Sequence, residues 1–125
     1  MGGTMRSGKR VVLVACALLG AVSSANAAGI LGKWKRPNGT IADVYMCGAK
    51  LCGKIIAGQP TGFEMFHGMT MVSQMQWQGS QMKHPSMPSF MTFNGTVRLS
   101  GDILKVKGCA VGQSMCDEET WTRLR

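Results

Sequence analysis

Histidine and acidic side chains are scarce in this chain, and their scarcity excludes most hydrolytic chemistry at the outset. Only His67 and His84 offer an imidazole base, beside six Asp and Glu in 125 residues. Neither histidine stands in a Ser/His/Asp-like arrangement or an H-E-x-x-H motif, the patterns that bring a base to a nucleophile or two imidazoles to one zinc. A zinc site would also want more histidines, or free cysteines at metal-ligand spacing. Asp117-Glu118-Glu119 is the one run of carboxylates, and consecutive acids of this kind read as a solvated turn. The chain is therefore expected to be no enzyme.

Two further absences narrow the class. No C-x-x-C is present, which removes a redox-active dithiol. No apolar run reaches the roughly 20 residues that a membrane-crossing helix needs. The longest, Val11 to Val22, follows Arg6, Lys9 and Arg10 and precedes Ala25-Asn26-Ala27. A positive n-region, a short apolar h-region and a small-x-small site describe a cleaved secretory signal over residues 1–27. Leu13-Val14-Ala15-Cys16 resembles a lipoprotein cleavage box, but the five apolar residues before Cys16 fall short of an h-region of about 7. The expectation is a periplasmic or secreted protein, with no transmembrane segment in its mature part and one domain over residues 28–125.

Loss of Arg6, Lys9 and Arg10 reduces the fourteen lysines and arginines to eleven against six acids, a net charge of +5. That excess favours acidic partners only in general terms. No basic patch interleaved with aromatics is visible, so nucleic acid is not expected as a partner. Lys33, Lys35 and Arg36 read as a solvated strand edge.

What is present points to strands. Ile30–Lys35 runs into the turn signal Pro37-Asn38-Gly39, and Thr40–Met46 and Leu51–Ala57 follow on either side of Gly48-Ala49-Lys50. Phe90–Phe93 and Thr96–Leu99 flank Asn94-Gly95, a strong hairpin signal. Ser100-Gly101-Asp102 is the next turn, Ile103–Lys107 alternates, and Glu119–Leu124 closes the chain. The middle, Gly58 to Ser89, shows no sustained period beyond a possible strand at Met75–Gln78 and reads as loop. Strands at this spacing predict an all-β fold, a small antiparallel barrel of about seven or eight strands. Ile41, Val44, Tyr45, Ile55, Val97, Leu99, Leu104 and Val106 are its expected lining or core.

A domain of 98 residues buries only about two-thirds of its unfolded surface and gains from staples. Its four cysteines, Cys47, Cys52, Cys109 and Cys116, allow three connectivities in an oxidising compartment. The local pairs Cys47–Cys52 and Cys109–Cys116 are favoured, because each brackets a short glycine-containing segment that can turn back on itself.

Gly32-Lys33-Trp34 near the start and Trp121-Thr122-Arg123 near the end would meet where a barrel pairs its first and last strands, with Arg123 over the Trp34 ring. The arrangement resembles the closure motif of the lipocalin and calycin superfamily. Together with Cys47-Gly48-Ala49-Lys50-Leu51-Cys52-Gly53-Lys54-Ile55 and Leu104-Lys105-Val106-Lys107-Gly108-Cys109, these ends also resemble the exported bacterial domain of unknown function numbered 2147. That resemblance implies a small β-rich exported domain without assigned activity, and supplies no catalytic residue. The centre departs from the family: a methionine-rich stretch stands where many members are rich in Asp, Asn and Pro.

Seven methionines fall between Met65 and Met91, with His67 and His84 among them. Methionine's flexible side chain fills irregular gaps, and packing beneath a loop is the expected use. Thioethers and imidazoles also suit Cu(I) or Ag(I). For such a site His67, Met69 and Met71 are the expected donors, since strand alternation would put all three on one face, with Trp77 available to stack on the ion. The resulting functional expectation is a non-catalytic binding or accessory protein of the cell envelope, without a cofactor, whose partner is a small apolar ligand or an envelope protein. A soft-metal protein using residues 65–91 and a protein–protein interaction module are the alternatives.

Overall fold

The computed structural model describes residues 29–110 and 115–125; residues 1–27, expected to be a signal segment, and Cys16 among them lie outside the described residues. Eight strands are described: β1 (Gly32–Lys35), β2 (Ile41–Cys47), β3 (Lys50–Ala57), β4 (Glu64–Ser73), β5 (Gln76–Met82), β6 (Phe93–Ser100), β7 (Ile103–Ala110) and β8 (Met115–Arg123). Each pairs antiparallel with the next, and β1 pairs with β8 through Trp34↔Arg123 and Lys35↔Thr122, so the sheet closes into a barrel. Each described strand therefore has a paired neighbour on both sides. Among the described residues, no helix is long and apolar enough to cross a membrane.

Alternation explains the inside of the barrel. Successive side chains of a strand point to opposite faces. Trp34 on β1, Ala42 and Val44 on β2, Leu51 and Ile55 on β3, Val97 on β6, Leu104 and Val106 on β7 and Trp121 on β8 are buried in one core. Ile41 and Tyr45, expected among that lining, alternate with Ala42 and Val44; they take the outer side of β2 and stay partly exposed. Phe66 and Trp121 stack across the interior with ring centroids 6.2 Å apart. A Cβ on Gly53 would collide with Phe66 Cζ, so this wall position accepts only glycine if the ring is to keep its place.

Two further sequence expectations are overturned. Asn94-Gly95 makes no hairpin: both residues lie within β6, where Gly95 pairs with Gly79 on one side and Gly108 on the other. Nor is the region from Gly58 to Ser89 mainly loop, since it holds β4 and β5. Their pattern is hard to see because β4 carries register shifts against β3 on both sides of the Cys52–Gly53 pair, each of which breaks the period of two.

The predicted disulfides are present, Cys47–Cys52 across the β2–β3 hairpin and Cys109–Cys116 between directly paired residues of β7 and β8. They are consistent with an oxidising, exported location.

The strand directions give the barrel two unlike ends. At one, the hairpins β2–β3, β4–β5 and β6–β7 gather with the start of β1 and the end of β8. The stretch Gly29–Leu31 folds over this end. Ile30 is buried there, its carbonyl accepts from Trp34 Nε1 at 3.0 Å, and Arg123 Nη2 donates to the Gly29 carbonyl at 2.6 Å. The other end gathers the connections β1–β2, β3–β4 and β5–β6, together with the facing ends of β7 and β8. It is the mouth of the barrel.

Candidate functional site: a methionine-walled mouth

The β5–β6 connection, residues 83–92, lies as a strap at the mouth. Lys83 N–H donates to the Met65 carbonyl at 2.7 Å, continuing the wall past the end of β5. Two turns follow, closed by Met87 N–H to the His84 carbonyl and Met91 N–H to the Pro88 carbonyl, each 3.0 Å. Pro85 and Pro88 hold the strap out of the sheet, since proline lacks the donor a ladder needs.

Between strap and barrel lies a cavity of about 760 Å³. Met65, Met82, Met87, Met91 and Met115 line it, with Phe93, Val106 and Ala110, and a polar side is formed by Lys83, His84, Asp117, Glu118 and Glu119. Ligand pockets typically span about 300–1,000 Å³ with mainly apolar walls and a few polar groups. Met82 lies on the floor of this one. A Cβ at Gly95 would come within 2.9 Å of Met82 Sδ, and one at Gly108, its direct cross-strand partner, within 3.2 Å. The two glycines are the bed in which that thioether lies.

Polar anchoring comes from Glu119. Oε1 accepts from Arg36 Nε at 3.1 Å and Trp121 Nε1 at 2.8 Å; Oε2 accepts from Arg36 Nη2 at 3.0 Å and lies 2.7 Å from His84 Nε2. Arg36 is buried and spends its Nη1 on Thr40 Oγ1 at 3.0 Å. Burial works to raise the Glu119 pKa, but the donors from Arg36, His84 and Trp121 outweigh it and hold the carboxyl at about 2. Neither the solvated edge expected for Arg36 nor the solvated turn expected for Asp117–Glu119 is found. Alternation is the reason: Arg36 follows Trp34 on the inward face, and Glu119 precedes Trp121 on the same face of β8.

His84 is committed at both ring nitrogens. Ser86 N–H donates to Nδ1 at 3.1 Å, and Ser86 Oγ is 2.7 Å from the same atom. Because a backbone N–H only donates, Nδ1 is the accepting nitrogen, and Nε2–H donates to Glu119 Oε2. Serine, histidine and carboxylate stand in the order of a hydrolytic relay. Ser86 is only two residues from His84, however, and its own N–H occupies the nitrogen that would act as base. The contacts are those of a local turn that pins the strap to β8, three strands further round the wall.

The metal donors expected from sequence are not brought together. Gly68 adopts φ +92°, a left-handed conformation open to glycine, and the register of β4 against β3 slips between Met69 and His67. The slip leaves His67 on the outer surface, 3.0 Å from Glu64 Oε2, and turns Met69 into the core. Met71 is exposed near the far end of β4, and Trp77 is buried in the core away from the mouth. Among the described residues, Cys47, Cys52 and His67 do place their ligand atoms within 4.8 Å of one another, but both sulfurs are consumed in a disulfide. A narrower cavity of about 230 Å³ runs beside His67 and Met69, where β4 and β5 part beyond the Thr70↔Gln78 pair.

The closure residues meet as expected. The Arg123 guanidinium sits 4.4 Å from the Trp34 ring centroid, within cation–π range, and its Nε donates to Asp102 Oδ1 at 3.0 Å. Gly32 starts β1, and Trp121 takes part in both the core and the Glu119 cluster. These groups tie strands at the closed end and do not line the mouth.

The mouth itself went unrecognised in the sequence, because its methionines come from β4, β5, the strap and β8, at no common spacing. A signal existed in the inward parity of Arg36 and Glu119, each two residues from a closure tryptophan. Compared with known protein families, characterised proteins and solved structures, the chain matches none.

Proposed function

We propose that this protein is a non-catalytic binding protein of the periplasm or the secreted fraction, and that it holds a small apolar ligand in the mouth of its barrel. One observation carries the reading. The cavity of about 760 Å³ has a thioether and aromatic wall, while the acid and base beside it are already consumed by one another. Glu119, with four donors on two oxygens, holds the wall together and has no lone pair left over for chemistry. Two disulfides and the amino-terminal pattern of residues 1–27 support export, and the terminal motifs resembling the exported family support an accessory role. A wall rich in methionine adapts to ligands of varied shape, because the unbranched side chain repacks at low cost.

A neutral apolar dye, N-phenyl-1-naphthylamine, tests the reading by its fluorescence on binding. One saturable site is expected in the native chain. Ala110→Trp, which fills the mouth from β7, should weaken it at least tenfold while leaving the circular dichroism spectrum unchanged. No saturable binding, or equal affinity in the filled variant, would refute the mouth as the site.

A further inference from the structure

The nine methionines from Met46 to Met115 are not spread evenly over the barrel: five of them line the mouth cavity. Of the rest, Met46 and Met69 pack with the core, and Met71 and Met75 are exposed at the closed end. The five arrive from four separate parts of the chain. A shortage of space-filling residues does not explain them, because Leu, Ile and Val fill the adjoining core.

We infer that the mouth is a binding site for a soft monovalent cation, Cu(I) or Ag(I), held by thioether sulfurs. The inference rests on the mouth being the binding site and adds to the apolar ligand a second occupant, a soft cation, that the thioethers of its wall select. Met65 and Met82 are the fixed pair: both are buried, and Met82 Sδ is seated against Gly95 and Gly108. Met87 and Met91 close from above, carried at the ends of the two strap turns. Met115 stands at the rim. Soft sulfur donors select Cu(I) over the hard cations that oxygen ligands favour. Methionine's three rotatable side-chain bonds let sulfurs on opposite walls converge.

The polar groups around the cavity fit this division of labour. Thioethers are neutral, so the ion keeps its charge, and Asp117 and Glu118 on the same wall offset it. His84 is not a ligand, since Ser86 and Glu119 hold its two nitrogens; it fixes the strap that carries Met87 and Met91. The cysteines do not compete, being joined as disulfides. Among the described residues, Lys83 is the one cation on the wall outside the Glu119 cluster.

A thioether has no proton to lose, which separates this site from one built on imidazole or thiolate. Titration of the native chain with silver nitrate, followed by calorimetry, should show one equivalent bound with affinity unchanged between pH 7 and pH 5. Met65→Leu with Met82→Leu should weaken binding at least tenfold. Met87→Leu with Met91→Leu, which leaves the core intact, should do the same. Met71→Leu with Met75→Leu should have no effect. Affinity that falls tenfold or more between pH 7 and pH 5 would overturn the thioether set, as would equal losses in the closed-end pair. Absence of silver binding by a chain that still binds the apolar dye would overturn the inference and leave the binding reading standing. Absence of both would overturn both.

Discussion

The two ends of this barrel are built on opposite principles. The closed end is made from large rigid groups whose partners are all within reach. Trp34 is buried under Arg123, Arg123 also reaches the Gly29 carbonyl and Asp102, and Ile30 plugs the opening. The mouth is made from flexible thioethers, a pair of facing glycines and a strap fixed by one histidine. Rigid aromatic packing defines one arrangement, whereas methionine tolerates several. The difference teaches that the first and last strands serve to hold the barrel shut, and that variation in shape is reserved for the end where residues 83–92 cross.

The comparison breaks most severely at Glu119, which joins both halves through Arg36, Trp121 and His84. Glu119→Ala would strand the buried Arg36 charge, a loss of the kind that costs about 3–5 kcal/mol. Urea unfolding should show the midpoint falling accordingly. A variant as stable as the native chain would mean that the cluster is ornamental.

Gly53→Ala comes next, because its Cβ would displace the Phe66 ring against Trp121. Overpacking of this kind costs about 1–3 kcal/mol. Gly95→Ala makes the informative contrast: the group it meets is the mobile end of Met82, so stability should change less while dye affinity at the mouth changes more. Equal effects on stability and affinity in both variants would erase the distinction between core and mouth.

Arg123→Ala should destabilise by about 1–2 kcal/mol through lost stacking on Trp34 and lost packing of its stem. Affinity at the mouth should stay the same. A change in dye binding in this variant would show that the two ends are coupled.

The remaining prediction concerns pH dependence. The Glu119 carboxyl is held at about 2 in the folded protein, below its ordinary value of 4.5. A carboxyl depressed by folding contributes stability that is present above the unfolded value and lost as pH falls through the folded one. The native chain should therefore lose stability between about pH 4.5 and pH 2, and Glu119→Gln should show a shallower slope there. Identical slopes would mean that another group governs acid unfolding.

Much of the barrel was legible because its outer strands obey simple alternation. Leu104 and Val106, Trp34 and Trp121, and the two local cysteine pairs all stand where the sequence puts them. The centre was illegible for a local reason. The bulge at Gly68 reverses the parity of β4, so His67 and Met69 look like neighbours on one face and lie on opposite sides of the wall. Asn94-Gly95 misleads in the opposite way: a strong turn dipeptide is used inside a strand, where Gly95 makes room for Met82. Arg36 and Glu119 were hidden by composition, as charged residues in short charged runs, although period-two counting from Trp34 and Trp121 places both inside. The mouth needs four segments to meet, and no pattern along the chain records that.

Ligand bound in the mouth should leave the closed end of the barrel untouched. Methionine methyl resonances test it most directly, since the chain carries these reporters at both ends and in the core. With methyl-labelled methionine and the neutral dye as ligand, the signals of Met65, Met82, Met87, Met91 and Met115 should shift with one common saturation curve, and those of Met46, Met71 and Met75 should not move. Shifts led by Met71 and Met75, or spread evenly over all nine, would contradict the account.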